Sequence, residues 1–178
     1  MSSYRIRGCT PSDAATIAQH RVCMFRDMGE VPTDEAAAEL LEESTVAIRA
    51  ELERGTYVGW FAIGAAEEVI AGAGAHVKAT LPRMSADRAG RIATSPVPLV
   101  VNVYTEPAWR HRGLAHALMR ALMQWAGERG FDRVVLHASN QARSLYASLG
   151  FVASNEMRWA VTAGQDEHPI RRDGELES

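Results

Sequence analysis

Residues 98–130 constrain the fold of this chain more than any other stretch. PLVVNVYT (98–105) is nearly continuous in apolar residues, as expected of a central strand, and EPAW then turns the chain. RHRGLAHALM (110–119) opens a run in which Leu114, Leu118, Ala121, Leu122 and Trp125 share one helical face that ends near Gly130. The unit is a buried strand feeding through a tight turn into a helix with a single apolar stripe. Its turn poses an electrostatic question, because Arg110, His111 and Arg112 stand where the helix dipole is already positive. Either those side chains are simply solvated or an anion sits among them. Unpaired amides at a helix start favour phosphate, and the missing side chain of Gly113 lets a diphosphate approach the main chain. The standard nucleotide motifs do not account for it: the Lys-Ser/Thr pair of a Walker loop is absent, and no GxGxxG follows the first strand.

The remaining sequence supplies layers for that unit. YRIR (4–7) alternates as a first strand, and Thr10, Pro11 and Asp13 open a helix whose stripe is Ala14, Ile17, Ala18, Val22 and Phe25, stopped by Gly29. Pro32 and Thr33 open a second helix, with Ala37, Leu41, Ile48 and Leu52 inward and Gly55 at its end. TYVGWFAI (56–63) and VIAGAGAHV (69–77) flank GAAEE as an antiparallel hairpin. Residues 78–96 lack periodicity and are too long for a simple turn. RVVLHAS (133–139) reads as a second buried strand, NQARSLYASLG as a short helix, and FVAS with EMRWAV as two closing strands.

A chain of 178 residues suits one domain, placed here at 1–163 with a polar tail at 164–178. Net charge is -3, so a general nucleic-acid binder is not expected and the basic turn is a local feature. No stretch approaches the roughly 20 apolar residues of a membrane span, and MSSYRIRGC lacks a secretory apolar region, so a cytoplasmic protein with reduced Cys9 and Cys23 is expected. The cysteines lack zinc spacing and no histidine pair has the i, i+4 spacing of a metalloprotease helix, so no metal is expected.

Arg110, His111, Arg112, Gly113, Leu114 and Ala115 match the Arg/Gln-x-x-Gly-x-Gly/Ala signature of the GNAT acetyltransferase superfamily, which the chain resembles. The resemblance includes VYTEPAW before the turn, SLYASLGF after it, and the order of elements from Tyr4 to Val161. It implies an α/β (α+β) fold, with a mixed, mostly antiparallel central sheet splayed between two central strands and flanked by helices. It also implies acetyl-CoA as cosubstrate, its diphosphate on the amides of Arg110 to Ala115 and its pantetheine arm beside Tyr104 and Thr105, where the arm pairs like an added strand. Tyr146 takes the position of the family tyrosine assigned as proton donor to the leaving thiolate; the alternative is a tyrosine that only packs its ring. The asparagine frequent in this family segment falls at Ser139, whereas the chain has Asn140 one place later. Either side chain is placed to bond the cosubstrate, or Asn140 caps the helix.

A protonated amine is no nucleophile, so something must take its proton. Glu106 and His137 are the candidate bases, with Asn102 and His76 nearby in the strand pattern; a water relay needs no single base. The reading is an acetyl-CoA-dependent N-acetyltransferase in which a primary amine, on a small molecule or on a peptide or protein, attacks the thioester directly without a covalent enzyme intermediate. MFRDMGEVP (24–32) and residues 78–96 are expected to wall the acceptor pocket, where Asp27 and Glu30 either attract the ammonium or are ordinary surface acids. A homodimer is expected from the resemblance. The alternative is a non-catalytic acyl-CoA-binding module, which acceptor-dependent thiol release excludes.

Overall fold

The computed structural model describes residues 4–86 and 90–157. Strand β1 (Arg5–Gly8) leads into a 3-10 turn (Pro11–Asp13) and helix α1 (Ala14–Asp27). Asp13 fastens this entry: its carboxylate receives Arg7 Nη1 and Nη2, each at 2.8 Å, and the Thr10 amide at 2.8 Å. The Arg7 hydrogen bonds hold its pKa down at about 2. Helix α2 (Asp34–Arg54) is capped by Thr33, whose Oγ1 accepts from the Ala36 amide at 3.1 Å, and ends at left-handed Gly55. Strands β2 (Tyr57–Ile63) and β3 (Val69–Lys78) form the expected hairpin. The aperiodic stretch holds a small antiparallel ladder, β4 (Arg83–Met84) with β5 (Ile92–Ala93). Strand β6 (Val97–Thr105), helix α3 (Leu114–Glu128), strand β7 (Val135–Leu136) and helix α4 (Arg143–Ser148) follow.

The main sheet has the order β1-β2-β3-β6-β7, antiparallel throughout except for parallel β6 and β7. Alternation along β2 feeds two cores. Phe61 and Ile63 pack with Ala14, Ile17, Ala18 and Ile48 of α1 and α2, while Ala62 packs with Leu114, Leu118, Met119, Leu122 and Tyr146 of α3 and α4. Gly74 of β3 is required by packing: a Cβ there would overlap the Tyr57 hydroxyl.

Two irregularities in β6 open the sheet. Its pairing with β7 is confined to Leu99↔Val135 and Val100↔Leu136, although β6 continues to Thr105 along β3. Gly74 pairs with Asn102 but Ala75 with Val100, leaving Val101 as a bulge. The bulge places consecutive residues on one side: Val101 packs on the α1/α2 core and Asn102 bonds to Arg21 of α1. The sheet is therefore splayed between β6 and β7.

The C-terminal expectations needed correction. The strand expected over 133–139 shrinks to Val135–Leu136, because β6 offers it only two partners; Arg133 instead donates to the Met84 carbonyl at 2.9 Å. FVAS forms no strand, and residues 158–161 of the last expected strand lie outside the described residues, as does the tail at 164–178. The helix expected from 140 begins as a 3-10 turn (Asn140–Ala142). Ser139, not Asn140, occupies its N-cap position, and no side-chain cap is made. No helix among the described residues is long and apolar enough to cross a membrane.

Candidate active site

Asn102, Tyr104 and Glu106 follow one another at every second position, so they share the face of β6 and its extension that α1 crosses. Four side chains of α1 meet them or the turn beyond. Arg21 Nη1 donates to Asn102 Oδ1 at 2.8 Å, and Asn102 Nδ2 donates to the Tyr57 hydroxyl at 3.1 Å. Cys23 lies against the Tyr104 hydroxyl, and burial foremost pushes the Tyr104 pKa up to about 12. Asp27 Oδ2 receives Arg110 Nη2 at 2.5 Å. His20 Nε2 lies 3.5 Å from Glu106 Oε1.

Glu106 is held by its backbone. Its amide donates to the Ile70 carbonyl at 3.0 Å, its carbonyl accepts from the Trp109 amide at 2.8 Å, and Pro107 fixes the following turn. Its side chain is 40% exposed with His20 against it, and the nearby Arg110 guanidinium pairs with Asp27. An accessible carboxylate that forms no ion pair with an arginine or lysine among the described residues is suited to accept a proton. His20 is 6% exposed, and burial pushes its pKa down to about 4, leaving the imidazole neutral near pH 7.

The turn after Glu106 has an uncommon backbone, with His111 at φ 60° and Gly113 at φ 78°. Gly113 tolerates this without the Cβ clash that an L-residue meets there. The first intrahelical bond of α3 runs from the Ala117 amide to the Gly113 carbonyl at 3.0 Å, so the amides of residues 114–116 have no intrahelical acceptor. No acid occupies the first turn of α3. A Cβ built on Gly113 meets nothing within 4 Å, so the space above the turn is open to a bulky anion.

The predicted site residues separate into groups. Tyr104, Thr105, Glu106 and Arg110–Ala115 come together as the end of β6 and the start of α3. Within that group, Arg110 faces back: Nε donates to the Thr105 carbonyl at 3.1 Å and the guanidinium lies 5.6 Å from the Tyr104 ring centre. Arg112 stacks over Trp109 at 4.8 Å, and Leu114 is buried, leaving its amide as its polar offering. Tyr146 lies on the opposite face of the sheet, in the cluster with Leu114, its ring 5.8 Å from Phe151. Burial raises its pKa, which keeps the phenol protonated. Ser139 and Asn140 are exposed beyond β7. His137 is past the end of β7 with Nδ1 2.8 Å from Glu156 Oε2, and is not brought to the Glu106 cluster. His76 faces Glu51 at 3.5 Å instead.

Sequence reasoning missed His20. It follows Ile17 by three positions and thus continues the buried stripe of α1, the signal by which a buried histidine was findable. Its partner, far along the chain, was not.

Comparison with solved structures gives the class of molecule. A GCN5-related N-acetyltransferase from Ralstonia eutropha superposes with a TM-score of 0.77 and 26% identity, covering 89% of this chain and 99% of that one. A predicted acetyltransferase with acetyl-CoA from Clostridium acetobutylicum matches in fold with a TM-score of 0.74 and 24% identity over 89% and 96% of the two chains. In sequence, aminoglycoside N(6')-acetyltransferase type 1 of Stenotrophomonas maltophilia is 26% identical over 153 residues, which is 84% of this chain and 87% of that protein. The chain belongs to the Acetyltransferase (GNAT) family, which it matches over residues 18–151. It is an acetyltransferase of that type.

Proposed function

We propose that this enzyme transfers the acetyl group of acetyl-CoA to a primary amine on a small molecule, by direct attack of the amine on the thioester. One observation carries the reading: β6 loses its β7 partner after Val100 yet runs five residues further, straight into the glycine turn that opens α3. That strand edge has backbone groups to pair with an extended amide-bearing arm, and the turn beside it has amides for the diphosphate of the same ligand. The amides of Arg110 to Ala115 would hold the diphosphate; the Arg110 side chain is committed to Asp27 and Thr105. Tyr104 and Thr105 would line the pantetheine arm, and Ser139 and Asn140 stand at the other side of the splay. Acetyl-CoA supplies an activated acyl carbon, and a backbone amide near the bulge stabilises its carbonyl oxygen as charge develops there.

Proton traffic is divided between the two faces of the sheet. As the C–N bond forms and the C–S bond breaks, the substrate ammonium gives up two protons. Glu106, accessible at the rim of the cleft, takes the first and passes it to solvent. Tyr146, whose burial keeps it protonated, gives its proton to the departing coenzyme sulfur, and the second amine proton, lost once the C–N bond has formed, restores the phenol through water. The small-molecule acceptor is favoured by the aminoglycoside acetyltransferase relative. A panel of aminoglycosides, other small amines and peptides, incubated with acetyl-CoA and read by thiol release together with product mass, tests the reading. Acetylated small amine is the expected outcome. Thermal stabilisation by CoA without thiol release on any acceptor would overturn it.

A further inference from the structure

We propose that His20 is a positioning residue for the reaction, aligning the Glu106 carboxylate by donating its Nε2 proton to it from a slot lined by Gly72 of β3. This rests on the reading of Glu106 as the base, and the observations for His20 are separate from that reading.

The slot is built by three strands. The imidazole stands edge-on to Phe61 of β2, ring centres 5.7 Å apart, and tilted against Tyr104 of β6 at 5.0 Å. A Cβ on Gly72 of β3 would come within 3.1 Å of His20 Nδ1 and 3.0 Å of the Phe61 ring, so a side chain there would force one of the two rings to give by a few tenths of an ångström. The ring is clamped, and its Nδ1 is buried without a hydrogen-bond partner. A buried nitrogen in that condition is costly, and the cost is smaller for a bare acceptor than for a stranded N–H. The single proton of the neutral ring is thereby assigned to Nε2, the atom 3.5 Å from Glu106 Oε1. At 3.5 Å the two groups are in contact at the outer limit of a hydrogen bond, and a small approach of the Glu106 side chain makes the contact charge-assisted and restrictive in direction.

The titratable and charged groups facing this pair are few. Cys23 and Asp27 come from α1, Tyr104 from β6, and Arg110 from the turn, where Asp27 already pairs with it. Phe61 and Gly72 bring no charge. Among the described residues Glu106 forms no ion pair with an arginine or lysine, and His20 is the ion-pair partner at its carboxylate.

The test compares His20→Leu, which fills the slot without a donor, with His20→Gln, which restores an N–H near the same place. Acetylation of the best amine from the panel is followed beside Glu106→Gln and the His20→Leu/Glu106→Gln double variant, with thermal melts for all. For His20→Leu, kcat is expected to fall about tenfold while KM for acetyl-CoA stays within about twofold. His20→Gln recovers most of the rate, and the double variant is no slower than Glu106→Gln alone. If Glu106→Gln cripples the enzyme but His20→Leu keeps the wild-type kcat, the His20 role is overturned and the base survives. Multiplying rate losses in the double variant would also sink it, showing that His20 acts apart from Glu106. If Glu106→Gln itself turns over normally, the base reading fails first.

Discussion

The two faces of β6 differ in almost every respect beyond their shared backbone. Toward α1 the strand presents Asn102 and Tyr104, then Glu106, each met by a polar side chain from the helix. Toward α3 and α4 it presents Val100 and Val103 to a close-packed apolar cluster in which the Tyr146 phenol is the polar group. One strand carries both kinds of side chain because its pleat separates them and because the Val101 bulge moves the polar residues onto the α1 side.

That contrast is open to attack, most strongly at the joint. Gly113→Glu places a bulky anion in the open space above the left-handed turn and is expected to abolish CoA binding in a calorimetric titration; wild-type affinity would remove the anion from this turn. On the apolar face, Leu118→Ala should lower stability by about 3 kcal/mol, a drop of about 10 °C in Tm, with kcat per folded molecule retained. On the polar face the reverse is expected: Glu106→Gln reduces kcat about 100-fold with the melting temperature nearly unchanged. Tyr146→Phe sharpens the comparison, because it removes the polar group of the apolar face while keeping its ring. Turnover should slow about tenfold at constant CoA affinity, a modest factor because a thiolate leaves readily. The smallest effect lies far from the cleft. The folded-state pKa of Asp13 is depressed below its unfolded value, so its contribution to stability is present above about pH 4 and fades as pH falls through about 2. Asp13→Asn should cost about 1 kcal/mol at neutral pH and flatten that part of the acid unfolding curve.

Legibility in the sequence followed distance along the chain. The stripe of α3, the hairpin of β2 and β3, the caps at Thr33 and Gly55 and the turn at Gly113 were all readable, because each is set by residues a few positions apart. The short β7 was misread: RVVLHAS has strand composition throughout, but a strand exists only where a neighbour offers a ladder. Asn140 looked like a cap and proved to sit inside the 3-10 turn. His137 looked like a strand histidine and lies beyond the strand, against Glu156.

What the sequence alone determined is therefore the set of parts: a central strand, a cationic glycine turn, two amphipathic helix pairs and a buried tyrosine on the last helix. Which polar groups meet was decided by the tertiary structure. Arg21 reaches Asn102 across 81 positions and Arg110 reaches Asp27 across 83, and His20 finds Glu106 over a similar span. Periodicity assigns a residue to a face of its own element. Pairing across elements depends on sheet order, on a one-residue bulge and on the room left by a glycine on the neighbouring strand, and these arise only when the layers close on one another.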